Sequence, residues 1–183
     1  SIKIGNWNRN ELIGTELSAK TIGIIGMGKI GRELMKRCLS FNMRILAYDP
    51  YVNKALIERE KVDLVSLDEL FSNSDFISTH VPLNDNTRDL INKESFSLMK
   101  SNVRIINVAR GGIINEQDLA DALKNNKISG AAIDVFSKEP IEINNPLINA
   151  PNVILTPHLG ASTEEAKKGV STAICKQIID YLL

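Results

Sequence analysis

The stretch from Thr21 to Gly31, TIGIIGMGKIG, constrains the fold more than any other part of the chain. A five-residue apolar run, the length of a buried strand, leads straight into three glycines spaced Gly-x-Gly-x-x-Gly. An amphipathic segment follows, with Ile30, Leu34, Met35 and Cys38 on one face. The glycine spacing alone is weak, but its position between a strand and a helix gives each glycine a task. Gly26 permits the tight turn, Gly28 lets a pyrophosphate approach the backbone, and Gly31 lets the helix pack close to the strand. The helix N-terminus then offers free N–H groups and the positive end of its dipole to phosphates. The next strand ends at Tyr48-Asp49, and Asp49 stands 18 residues beyond Gly31. A carboxylate there accepts hydrogen bonds from the adenosine ribose and repels a 2′-phosphate, so NAD is favoured over NADP.

Short apolar runs alternate with longer amphipathic segments along the rest of the chain. Strands are expected at 21–25, 44–48, 75–79, 103–108, 130–135 and 152–155, and helices at 29–41, 53–60, 67–72, 92–99, 115–126 and 163–183. Asn115 is placed to cap the helix that Glu116 opens. Strands of four to six residues alternating with helices imply parallel pairing through right-handed crossovers. The expected class is therefore α/β, a Rossmann-type doubly wound parallel sheet with helices on both faces. Segment 140–151, PIEINNPLINAP, reads as a loop between the last two strands.

Charge and composition narrow the partners. The chain has 183 residues, with 22 basic and 22 acidic side chains. No basic run suggests nucleic acid or an anionic membrane as partner. No apolar run approaches the roughly 18 residues of a membrane span, and no signal-peptide pattern opens the chain. Cys38 and Cys175 lack metal or redox spacing and read as two reduced core thiols of a cytoplasmic protein; no metal site is expected. The first residue is Ser1, an indication of a processed chain or an excised domain.

Three polar residues follow the later strands: Arg110 in Ala-Arg-Gly-Gly, Glu139 before Pro140, and His158 in TPHLGAS (156–162). Ligands of an open parallel sheet bind outside the carboxyl ends of its strands, so all three share an edge with the glycine loop. Singly, each reads equally well as an ordinary loop or strand-end residue. Beside a nicotinamide they form a device for moving a hydride from a 2-hydroxy acid. Histidine has the pKa range of a base for the hydroxyl proton. A carboxylate on its other ring nitrogen fixes the tautomer, and a guanidinium binds the substrate carboxylate. Pro140 and Pro157 hold Glu139 and Thr156 extended. Asp134 is placed to accept from the nicotinamide carboxamide. The second histidine, His80, reads as packing or hydrogen bonding at a strand end, while Val81 and Pro82 can line the cofactor site.

Taken in order, these motifs resemble the D-isomer-specific 2-hydroxyacid dehydrogenase family over essentially the whole chain. The resemblance rests on residues 26–31, Asp49, HVPLNDNT (80–87), NVARGGIINEQDL (107–119), GAAIDVFSKEP (130–140) and TPHLGAS. It implies NAD as cofactor, a small 2-hydroxy acid as substrate and catalytic roles for Arg110, Glu139 and His158. It implies dinucleotide contacts at Gly26, Gly28, Lys29, Ile30, Gly31, Asp49, Val81, Pro82, Thr87, Val108, Ala109, Arg110, Asp134, His158, Gly160 and Ala161. Within the family, GNWNRNELIGTEL (5–17) and PHLGASTEEA (157–166) point to the branch that oxidises 3-phospho-D-glycerate at the entry to serine biosynthesis. A glycerate, glyoxylate, hydroxypyruvate or lactate enzyme is the alternative, followed by a dinucleotide-sensing corepressor of the same fold. Family members also carry a separate substrate domain. Residues 1–183 are accordingly expected to be a dinucleotide-binding domain alone, with 163–183 leading toward the absent domain. The isolated chain is then expected to bind NAD with weak or no turnover, and the parent enzyme to be a homo-oligomer.

Overall fold

The computed structural model describes residues 2–52 and 61–182; the helix expected at 53–60 lies outside the described residues. Strands β1 (Thr21–Ile25), β2 (Arg44–Tyr48), β3 (Val62–Leu64), β4 (Phe76–Thr79), β5 (Arg104–Asn107), β6 (Gly130–Ile133) and β7 (Val153–Leu155) form one sheet in the order β3-β2-β1-β4-β5-β6-β7. Every pairing is parallel, with Ile25 beside Tyr48 and Thr79, and Thr79 beside Asn107. Chain order reverses between β1 and β4, which opens a crevice at the carboxyl ends of those two strands.

The central strands read as apolar runs because the middle of the sheet is buried on both faces. Ile22, Ile24, Met35, Cys38 and Ile45 form one core cluster, and Ile25, Leu46, Leu70, Ile77, Phe96 and Ile105 belong to the other. Each large aliphatic side chain fully buried this way is worth roughly 1.5–3 kcal/mol relative to exposure. The helices are α1 (Lys29–Ser40), α2 (Leu67–Asn73), α3 (Lys93–Leu98), α4 (Glu116–Lys124) and α5 (Glu164–Leu182). Ser66, Asn92 and Asn115 cap α2, α3 and α4 with side-chain oxygens, and each of these helices has an acidic residue in its first turn. Helix α1 has neither device: Gly28 stands at its N-cap, and its first turn holds no acid.

Several boundaries differ from the sequence reading. β3 was not expected, because two half-buried residues around an exposed Asp63 carry too little pattern to register. Asp75, Val103, Val108, Asp134, Val135 and Asn152 fall outside the strands. Asp75 stands just before β4, where its backbone still bonds Thr21 and Arg104 while its carboxylate accepts from Thr21 N–H at 2.9 Å and pairs with Lys100 at 3.1 Å. The two thiols are not alike: Cys38 is buried, but Cys175 lies exposed on α5, which has no buried residue at all. Among the described residues no helix is long and apolar enough to cross a membrane.

Candidate active site at the carboxyl edge of the sheet

The glycine loop is built almost wholly from backbone constraint. Gly26 has φ +97°, and a Cβ there would stand 2.5 Å from the His80 carbonyl oxygen. A Cβ on Gly31 would stand 2.0 Å from the Gly26 carbonyl oxygen, so helix and loop touch through bare backbone. Gly28 differs, because a Cβ there meets nothing within 4 Å. Its missing side chain leaves open space over the uncapped N-terminus of α1, beside Lys29 and Ile30. Asp49 closes the loop from below: Oδ2 accepts from Met27 N–H at 2.8 Å and Oδ1 from Tyr51 N–H at 2.8 Å.

A groove of about 250 Å3 runs from this loop, lined by Gly26, Gly28, Asp49, Val81, Pro82 and Thr87 among others. A second groove shares His80, Val81 and Pro82 with it and continues past Ile30, Val108, Ala109 and Arg110. Thr87 presents its surface rather than its hydroxyl, which donates to the Pro82 carbonyl at 2.6 Å and accepts from Asn84 N–H at 2.9 Å. His80 sits where the grooves meet, with Nε2 2.9 Å from Ser78 Oγ, and burial pushes its pKa down. It is a packed strand-end histidine, as its sequence context implied.

The third groove lies beyond β6 and β7, lined by Phe136, Glu139, Pro140, Ile141, Pro157 and His158. His158 Nδ1 and Glu139 Oε2 are 2.7 Å apart. The other carboxylate oxygen of Glu139 accepts from Phe136 N–H at 3.0 Å. The His158 ring and then the Phe136 N–H hold the Glu139 carboxyl below its usual range. Nδ1 faces an ionised carboxylate, so it carries the proton and Nε2 is the lone-pair nitrogen of the neutral ring. The backbone of His158 is left-handed, φ +55°, an uncommon state for a side chain of this size.

Asp134 holds that turn. Oδ1 accepts from Thr156 Oγ1 at 2.5 Å and Leu159 N–H at 2.8 Å, and Oδ2 accepts from Gly160 N–H at 3.0 Å. Its own carbonyl accepts from His158 N–H at 2.9 Å. Burial pushes the Asp134 carboxyl up, but these hydrogen bonds outweigh it and leave the group below its usual range. Among the described residues Oδ2 accepts only the Gly160 hydrogen bond. Gly160 and Ala161 continue the turn, with Gly160 exposed.

Arg110 is not part of the His158–Glu139 pair. Its guanidinium bonds the Ala109 carbonyl at 2.6 Å, and the side chain is exposed toward the second groove. The two regions meet through backbone: a Cβ on Gly111 would stand 1.9 Å from the Phe136 carbonyl oxygen. Two further residues organise these loops. Asn107 bonds the Arg110 turn, and Glu116 accepts from Ser137 N–H and Asn145 Nδ2, both at 2.6 Å. A polar residue closing an apolar strand is the signal that could have found Asn107, whereas Glu116 was read only as the acid opening its helix. Among the described residues no cluster suited to a metal ion is present.

The cleft fits a dinucleotide on its own features. An uncapped helix N-terminus with open space above Gly28 suits a pyrophosphate, and a carboxylate at the end of β2 suits a ribose diol. Exposed apolar side chains, Ile30 and Val108, line the continuation.

Comparison with known proteins agrees. Residues 1–160 match the family model described as D-isomer specific 2-hydroxyacid dehydrogenase, NAD binding domain. The chain is 49% identical over 179 residues to D-3-phosphoglycerate dehydrogenase of Methanocaldococcus jannaschii, covering 97% of this chain and 34% of that protein. It is 46% identical over 184 residues to hydroxypyruvate reductase of Thermotoga maritima, covering 100% of this chain and 59% of that one. D-lactate dehydrogenase from Aquifex aeolicus, solved with NAD and lactic acid, superposes with a TM-score of 0.85 at 32% identity, over 94% of this chain and 56% of that one. The chain thus spans about a third of the length of the phosphoglycerate dehydrogenases it matches. With a seven-stranded parallel sheet, a glycine loop shaped for a pyrophosphate and a family model matched over most of its length, the chain belongs to the D-isomer specific 2-hydroxyacid dehydrogenase family, as its NAD-binding domain.

Proposed function

We propose that this chain is the cofactor half of an NAD-dependent D-2-hydroxyacid dehydrogenase that oxidises 3-phospho-D-glycerate to 3-phosphohydroxypyruvate in the cytoplasm. The observation that carries the reading is the His158–Glu139 pair, 2.7 Å apart, on the same sheet edge as the glycine loop. NAD, bound along the first two grooves, supplies the acceptor for the substrate's C2 hydride. The free N–H groups opening α1 bind its pyrophosphate, Asp49 its adenosine ribose, and the spare lone pair of Asp134 its carboxamide. Val81, Pro82, Val108 and Ala109 flank it. His158 Nε2 takes the hydroxyl proton while Glu139 keeps the ring in the Nδ1–H tautomer and stabilises the imidazolium. Arg110 binds the substrate carboxylate.

The full protein is taken to carry a substrate domain toward which α5 leads, and to act as a homo-oligomer. The relatives' greater length and the wholly unburied side chains of α5 support this. The phosphorylated substrate is favoured by four similarly named relatives from archaea and bacteria at 41–49% identity. A hydroxypyruvate reductase is the second reading, favoured by the Thermotoga relative at 46%.

Turnover by the full-length protein separates them. The first reading expects 3-phospho-D-glycerate to be used with the highest kcat/KM; preference by orders of magnitude for unphosphorylated hydroxypyruvate or glyoxylate reverses the choice. In the same protein His158→Ala should lower kcat by ~10²–10⁴ with NAD affinity largely kept. Undiminished turnover would remove His158 as the base.

A further inference from the structure

Asn107 closes β5 and is only 2% exposed. Its amide makes three hydrogen bonds. Oδ1 accepts from Thr79 Oγ1 at 2.9 Å and from Ala109 N–H at 3.1 Å, and Nδ2 donates to the Arg110 carbonyl at 2.9 Å. A backbone N–H must meet oxygen and a backbone carbonyl must meet N–H, so the turn itself fixes which way the amide faces. Thr79 is its neighbour across the β4–β5 ladder, so the anchor is the sheet. The Asn107 main-chain carbonyl accepts from Asp134 N–H at 2.9 Å, tying the same residue to the base of the His158 turn.

We propose that Asn107 is a positioning residue, which sets the backbone of the Ala109–Arg110 turn and through it the place of the Arg110 guanidinium. The inference rests on the reading of Arg110 as the group that binds the substrate carboxylate. The guanidinium folds back onto the Ala109 carbonyl at 2.6 Å, so its location follows the turn that the amide holds. Gly111 leaves the turn no slack on the other side, where it lies against the Phe136 backbone. The position needs an acceptor and a donor on one short planar group. Aspartate keeps the acceptors but sets an oxygen against the Arg110 carbonyl, and leucine satisfies neither partner.

A double-mutant cycle in the full-length enzyme tests this. Asn107→Asp should lower kcat/KM for the 2-hydroxy acid by ~10–100-fold, mainly through KM, as expected for a displaced positioning group. Placed in an Arg110→Ala background, the same substitution should cost less than ~3-fold, because the group it positions is gone. An equal loss in both backgrounds would overturn the inference, since Asn107 would then act on the fold at large. If Arg110→Ala alone leaves kcat/KM unchanged, the reading of Arg110 fails and this inference with it, a result distinct from an additive cycle. Should Asn107→Asp not fold, Thr79→Val removes one of the two donors to Oδ1 and carries the same cycle, with an expected loss of ~3–10-fold in the parent and none beside Arg110→Ala.

Discussion

The carboxyl edge of this sheet is built by two different methods. Around β1 the work falls to absent side chains: Gly26 and Gly31 lie so close to other backbone that a methyl group has no place. Around β5 to β7 it falls to polar side chains that reach from strand ends into the following loops. Asn107 holds the Arg110 turn, Asp134 holds the His158 turn, and Glu139 holds the imidazole. The first region fails when an atom is added, and the second when a hydrogen bond is removed. Rigid backbone suits an anion such as a pyrophosphate, which needs fixed N–H groups rather than a side chain that moves. Hydrogen-bonded turns suit groups that must meet a reacting atom with directed lone pairs and protons.

The sharpest break of that contrast comes within the glycine loop itself. Gly31→Ala places a methyl 2.0 Å from the Gly26 carbonyl oxygen, and strain against backbone has no rotamer to relieve it. A loss of at least about 3 kcal/mol is expected, read as a fall in the denaturant midpoint together with loss of NAD binding. Gly28→Ala is the control, since its Cβ meets nothing within 4 Å. It should leave the midpoint nearly unchanged while NAD affinity falls more than about tenfold, because the methyl occupies the space a phosphate needs. If both variants lose stability alike, the distinction between a packing glycine and a binding glycine is wrong.

Next in size is the loss of an acceptor on the other side. Asp134→Ala strands Thr156 Oγ1 and two backbone N–H groups that now meet one buried carboxylate. About 2 kcal/mol of stability should go. The damage should also be local: faster amide exchange at Leu159 and Gly160, with ADP-ribose binding at the glycine loop kept. Loss of ADP-ribose affinity in step with stability would show that the two regions are one cooperative unit rather than two constructions.

The same contrast explains what could be read in advance. Gly26 and Gly31 were legible because a residue type with no side chain, between a strand and a helix, answers a backbone requirement visible in sequence. Parallel pairing followed from the alternation of short strands with helices, whereas the strand order did not. The His158–Glu139 contact spans 19 residues, and no local pattern specifies it; only the rule that ligands sit at strand ends, and the family resemblance, put the two on one edge. Asn107 stayed hidden because a polar residue ending a buried strand looks like an ordinary boundary. Its role exists only once Thr79 is placed beside it. The exposed Cys175 was misjudged for a related reason: the apolar residues of α5 mimic a buried face, yet none of them is buried.

The smallest expected effect concerns the charge on Glu139. Its carboxyl lies below the ordinary value of 4.5, held there by the His158 ring and the Phe136 N–H. A lowered folded-state pKa means the unfolded chain takes up a proton first as pH falls. The contribution of Glu139 is therefore fully present above about pH 4.5 and fades as pH drops through the lower folded value. Half of the His158 side-chain surface is exposed, so solvent screens the pair and the stability at stake is modest. Glu139→Gln should lower Tm slightly at pH 7, and the gap from the parent protein should close on descent toward pH 3. A gap that widens as pH falls would mean that the Glu139 carboxyl is raised by its surroundings. In that case the Nδ1–H tautomer of His158 would have no ionised partner to fix it.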